Sequence, residues 1–174
     1  MTQPRRLGGY QVDVLKMVTI GVYGFTVETF LETLTDGGVD LLLDLRQRRG
    51  VRGPEYSWAN SARLQQALAE AAIDYRHLKE LAPTTELRHL QYAEDARNGV
   101  GKRNRTTLAP SYAARYTQEI LNPYDLAALV SDLPPNSVSA LFCVERDPAA
   151  CHRSLVATRL HTEHGIPIKH LHPK

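Results

Sequence analysis

The sequence has two cysteines, one tryptophan and three phenylalanines in 174 residues, and these shortages exclude several classes of protein. Two thiols cannot build the disulfide framework of a small secreted domain. With no secretion signal beside them, they point to free cysteines in a reducing, cytoplasmic setting. No apolar run approaches the roughly 20 residues that span a bilayer, so no membrane partner is expected. The opening stretch, Met1 to Lys16, lacks the apolar core and small-residue cleavage site of a secretory leader. It reads as a loosely held arm before a single domain over residues 17–174, with Met17 as an alternative start. A net charge of +2 is too mild to imply nucleic-acid binding by itself. There is no internal repeat and no low-complexity stretch.

What is present is the composition of an ordinary globular domain, 43% hydrophobic and 23% charged, enough for one contiguous core. Five short apolar runs separated by helix-like segments organise it. The first, Val18 to Val22, is rich in β-branched residues. A helix follows, with Thr26 as N-cap, Phe30, Leu31 and Leu34 on its apolar stripe and Gly37-Gly38 as its stop. The second run, Val39 to Leu45, is nearly all apolar, as expected of a strand covered on both faces. A helix over about 60–72 leads to a third, more polar run, Ile73 to Leu78, which belongs nearer a sheet edge. Residues 84 to 131 read as helical, broken by a loop over 98–110. The fourth run is Val138 to Val144. Asp147-Pro148 opens a helix to about His164, and a last short strand starts at Ile166. Strands alternating with helices predict an α/β fold: a single three-layer domain with a mainly parallel, five-stranded, doubly wound sheet and helices on both faces.

In such sheets ligands bind beyond the carboxyl ends of the strands. The residues that fall there are Tyr23 and Gly24, Asp44 and Arg46, His77, and Glu145 and Arg146. Asp44 and Arg46 share one strand face. They are either a local ion pair or a guanidinium held by a carboxylate and aimed at an anionic ligand. Cys151-His152-Arg153 suggests an activated thiol at a helix start. However, neighbouring helical residues diverge by about 100°. If Val156 and Leu160 face the sheet in a helix opened at Pro148, His152 and Arg153 flank that stripe and Cys151 points away. His152, Glu145 and Cys151 are the catalytic candidates. Asp44, Arg46, Arg153, Tyr23 and His77 are the ligand-binding candidates.

Cys143 reads as a small hydrophobe in a buried strand. A zinc site of Cys143, Cys151 and His152 has unusual spacing and lacks a fourth ligand, so neither metal nor other cofactor is expected. The phosphatase pattern fails because Ala149 stands where an arginine is needed. In the loop from Arg46 to Trp58, Arg48, Arg49, Arg52, Tyr56 and Trp58 are candidates for phosphate contact and base stacking, or anchors of a solvated loop. The basic segment Gly101 to Arg105 reads as a solvated turn. His170 would approach the crevice if the last strand lay beside the fourth.

Several segments together carry a resemblance: Thr19-Ile20-Gly21, Asp44-Leu45-Arg46, Tyr75 to Leu78, Leu141 to Pro148, Cys151 to Ser154 and His170-Leu171. They resemble domain-of-unknown-function family 488 from Val18 to Leu171, most specifically in the Cys-x-Glu-x-Asp-Pro…Cys-His-Arg segment. The resemblance implies a bacterial or archaeal, cytoplasmic α/β protein. It carries the family motif onto Asp44, Arg46, Cys143, Glu145, Cys151, His152 and Arg153, and it implies no reaction. Where many members have Leu-Gly-Gly, this chain has Leu81-Ala82-Pro83, a departure at the crevice rim.

Three functions fit these residues. The first is binding of, or action on, a phosphorylated or otherwise anionic small molecule, with Arg46 and Arg153 as clamp and His152 or Glu145 moving protons. The second is a nucleic-acid-associated module using the Arg46–Trp58 loop. The third is rhodanese-like sulfur transfer through Cys151, which requires that thiol to face the crevice.

Overall fold

The computed structural model describes residues 14–174, so most of the expected N-terminal arm lies outside the described residues. Strands β1 (Lys16–Ile20), β2 (Leu41–Asp44), β3 (Asp74–His77), β4 (Val138–Phe142) and β5 (Ile168–His170) form one parallel sheet in the order β3-β2-β4-β1-β5. The expected class, a three-layer α/β domain on a parallel five-stranded sheet, is the one observed.

The alternation of side chains along the strands builds two cores, one on each face. On one face Val18, Ile20, Leu42, Ala140 and Phe142 meet Phe30 and Leu34 of α1 (Val27–Asp36) and Leu64 and Leu68 of α2 (Ser61–Glu70). On the other, Met17, Leu41, Leu43 and Leu141 meet four helices. These are α3 (Thr85–Arg97), α4 (Pro110–Tyr116), α5 (Leu126–Asp132) and α6 (His152–His164), contributing Leu87, Tyr112, Tyr116, Leu126, Leu129, Val156 and Leu160. Each fully buried aliphatic or aromatic side chain contributes about 1.5–3 kcal/mol of burial free energy. All four residues of β2 are buried, as its apolar run predicts, whereas β3 takes the edge and keeps only partial cover.

The local signals act as expected at α1. Thr26 Oγ1 accepts from Thr29 N, and the Thr29 hydroxyl oxygen accepts from Thr26 N, closing a capping box. The start of α6 differs from expectation. Asp147 caps only a short 3-10 turn, Pro148–Ala150, and Cys151 is extended at φ −138°, ψ 143°, before the helix begins at His152. The last strand pairs with β1 instead of β4, so His170 hydrogen-bonds Thr19 Oγ1 at 2.7 Å, away from the β4 crossover.

Register positions the site. Ile20 at the end of β1 and Asp44 at the end of β2 both pair with Phe142 at the end of β4. The three chain exits therefore leave the sheet at one level. Val22 N and Tyr23 N donate to Val144 O at 3.0 and 3.1 Å. The approach requires glycine at position 21, where a Cβ would stand 2.0 Å from Glu145 O. No helix among the described residues is long and apolar enough to cross a membrane.

Candidate functional site

Beyond these strand ends lies a crevice of about 520 Å³. The β1, β2 and β4 exits form its floor, with α3 and the segment before α4 as its far wall. Tyr23, Arg46, Glu145, Cys151 and His152 line it, joined by Cys143, Arg88, Lys102, Arg105 and Tyr112. At its mouth are Arg48 and Arg52, both exposed. Six lysine or arginine side chains border the space against one carboxylate, Glu145.

The floor is a tight cluster. His152 Nε2 lies 3.0 Å from Leu45 O, and because a carbonyl only accepts, Nε2 carries the proton. Nδ1 therefore faces the two thiols, 3.8 Å from Cys151 Sγ and 3.9 Å from Cys143 Sγ. Burial alone would raise the Cys151 thiol. A hydrogen bond from Cys143 and the charges of Arg153 and His152 outweigh burial and hold it well below the ordinary thiol range. Cys143 is driven the other way, by that same hydrogen bond and by burial, and is the protonated member of the pair. Burial works against a charged His152, but the Cys151 thiolate and Glu145 raise its pKa above the usual histidine value. Glu145 is raised by burial and by the Cys151 charge, and its Oε2 is buried without a hydrogen-bond partner among the described residues.

Cys151 reaches this cluster because it is the extended residue before α6, not a member of the helix. The expectation that it points away is corrected: it placed Cys151 on the helix with Val156 and Leu160, whereas the helix begins one residue later, at His152. Val156 and Leu160 do face the sheet core as expected. Cys143, expected to be a passive core residue, is part of the cluster.

Two of the anticipated anion contacts are engaged within the protein. Arg46 donates through Nε and Nη2 to Asp44 Oδ1 and Oδ2 at 2.9 and 2.8 Å, and through Nη1 to Ala59 O at 2.8 Å. Its guanidinium also lies over the Phe142 ring, 4.7 Å from the centroid. Arg153 is fully buried behind the floor and donates to Glu145 O and Arg146 O at 2.7 and 3.3 Å, holding the turn after β4. Asp44 and His77 likewise lie behind the crevice, His77 donating from Nε2 to Arg46 O at 2.8 Å.

The loop after β2 is pinned by its aromatics. Trp58 packs on Phe30 with ring centroids 4.8 Å apart, and Tyr56 packs on Tyr23 at 5.2 Å and accepts from Gly24 N. Arg49 reaches the Tyr75 hydroxyl at 3.4 Å.

The segment read as a solvated basic turn supplies part of the wall. Arg105 is 8% exposed; its Nε donates to both Asp95 oxygens at 3.0 Å, and its Nη1 lies 3.4 Å from Glu145 Oε1. A buried carboxylate on α3 pulls this arginine inward. Lys102 enters the crevice with no hydrogen bond or ion pair among the described residues. Burial opposes its charge, but Glu145 raises its pKa above the ordinary lysine value. Arg88 is held by Gln47 Oε1 and the Tyr92 hydroxyl, each at 2.9 Å. The run Lys102, Arg103, Arg105 was the available sequence signal; its inward direction depends on Asp95, ten residues before Arg105 and joined to it by no visible motif. At the rim, Leu81 and Ala82 are buried and Pro83 lines the crevice, so the Leu-Ala-Pro departure shapes its edge.

Parallel strands ending at one level beneath a basic crevice define the chain as an α/β protein with a crevice at its strand carboxyl ends. The family described as Domain of unknown function DUF488 matches residues 26–160, and the chain belongs to it. No curated protein and no solved structure matches the chain.

Proposed function

We propose that the crevice binds an anionic ligand, carrying a phosphate or carboxylate group, and that the protein acts on it at the floor formed by Cys151, His152 and Glu145. The observation that carries this reading is Lys102, an ammonium inside the crevice that makes no hydrogen bond or ion pair among the described residues. A cation held against the cost of burial is stabilised by an anion arriving beside it. Around it, Arg46 and Arg105 are neutralised by Asp44, Asp95 and Glu145. Arg48, Arg52 and Arg88 keep the field positive. The first turn of α6 adds amide groups at the same floor, where the helix dipole favours negative charge. In this arrangement the clamp role expected of Arg46 and Arg153 passes to Lys102 and Arg88. Arg46 and Arg153 hold the floor in place.

The test is thermal unfolding with added phosphate, sulfate or a nucleoside monophosphate, at constant ionic strength. Phosphate-bearing ligands are expected to raise the wild-type Tm, and Lys102→Ala is expected to lose most of that rise without a large change in its own Tm. Equal stabilisation of wild type and variant would overturn the assignment of the anion to this crevice.

A further inference from the structure

We infer that Cys143, Cys151 and His152 form a zinc-binding site whose fourth position opens to the crevice. The proposal goes beyond anion binding and stands independently of it. The two thiol sulfurs and a histidine nitrogen lie within 4.8 Å of one another. A tetrahedral zinc with Zn–S of about 2.3 Å and Zn–N of about 2.0–2.1 Å sets S···S near 3.8 Å and S···N near 3.6 Å. The S···N distances of 3.8 and 3.9 Å thus need to close by only a few tenths of an ångström.

The histidine is already oriented. Its Nε2 proton is committed to Leu45 O, the backbone-carbonyl contact that fixes the ring of a metal-bound histidine and leaves the other nitrogen for the metal. The sulfurs come from two different elements, the exit of β4 and the residue before α6, so the site exists only in the folded chain. Two thiolates and an imidazole suit zinc and disfavour magnesium or calcium, which take oxygen ligands. Three protein ligands with an open position are the pattern of catalytic zinc, whereas structural sites are closed by a fourth side chain. All three residues line the crevice, and so does Glu145. Binding displaces the remaining thiol proton, so metal uptake releases acid. The missing fourth ligand, which argued against zinc in the sequence, is the position left for water or substrate.

Reduced, chelator-stripped protein titrated with Co²⁺ tests this directly. The expected result is saturation at one equivalent, with a thiolate-to-cobalt charge-transfer band and the visible bands of tetrahedral cobalt, all abolished by Zn²⁺. Cys143→Ser and Cys151→Ser should each lose about half of the charge-transfer intensity, and His152→Gln should weaken binding by about tenfold or more. A measurement on wild type guards against misfolded variants: Zn²⁺ should slow alkylation of both cysteines at least tenfold. Absence of the charge-transfer band in folded, reduced wild type overturns the proposal, as does alkylation unaffected by Zn²⁺. Either negative result would leave Cys151 free for sulfur transfer. Stabilisation of the metal-free protein by phosphate is read separately, so loss of the zinc site and loss of the anion site are distinguishable.

Discussion

Asp44 grips Arg46 from both ends of the guanidinium, with Nε on Oδ1 and Nη2 on Oδ2 at 2.9 and 2.8 Å, while the Arg46 backbone N–H also donates to Oδ1 at 3.1 Å. Tyr75 completes the carboxylate by donating its hydroxyl proton to Oδ2 at 2.7 Å. Both charges are essentially removed from water. Such a pair adds little net stability over an apolar replacement, but removing one partner strands the other. Asp44→Ala is therefore expected to cost about 3–5 kcal/mol, read as a lower urea midpoint with an unchanged m-value. A cost below about 1 kcal/mol, the range of exposed pairs, would mean that the pair is not buried as described.

The close approach of β1 to the β4 exit makes a second, steric prediction. A methyl at position 21 would meet Glu145 O at 2.0 Å, which is backbone and cannot swing aside. Gly21→Ala must part the two segments and is expected to cost about 1–3 kcal/mol or more. It should also disturb the crevice floor, since Glu145 belongs to it. Unchanged stability in chemical denaturation would contradict the geometry.

Asp95 supplies a pH dependence. Burial pushes its carboxyl up, but hydrogen bonds from Arg105 and Gln91 and the Arg105 charge outweigh this and hold it below the ordinary aspartate value. Because the folded pKa is the lower one, the stabilisation is complete above the unfolded value of about 4. It is lost as the pH falls through the folded value. Unfolding free energies measured from neutral pH down through this window should fall more steeply for wild type than for Asp95→Asn. Parallel curves would show that the Arg105 pair contributes nothing to acid stability.

Much of the frame was legible in the amino-acid sequence because it depends on local chemistry. The apolar run from Val39 to Leu45, the Thr26 cap and the β-branched first run each report a short-range preference. The resulting alternation of strands and helices defines the class. The residues at the strand ends, Tyr23, Arg46 and Glu145, were legible for the same reason. What escaped depends on contacts between distant segments. The insertion of β4 between β1 and β2 is a long-range pairing that periodicity does not encode. Arg105 turns inward through Asp95 and Glu145, contacts that no spacing announces, and Lys102 enters the crevice on the same segment. Cys151 was misplaced by one local detail: it is a single extended residue between the Pro148–Ala150 turn and α6, so a direction read from the helix does not apply to it. Cys143 looked like packing because its role depends on residue 152 arriving from another element.

The central claim is that an anion binds beside Lys102 above the Cys151–His152 floor. The most direct measurement is a titration of isotope-labelled protein with inorganic phosphate, followed by NMR at two salt concentrations. The account predicts saturable shifts centred on Lys102, Arg88, Cys151 and His152, with apparent affinity falling as competing salt rises, and loss of those shifts in Lys102→Ala. Shifts that never saturate, or that spread over exposed basic residues such as Lys169 while the crevice stays silent, would contradict it.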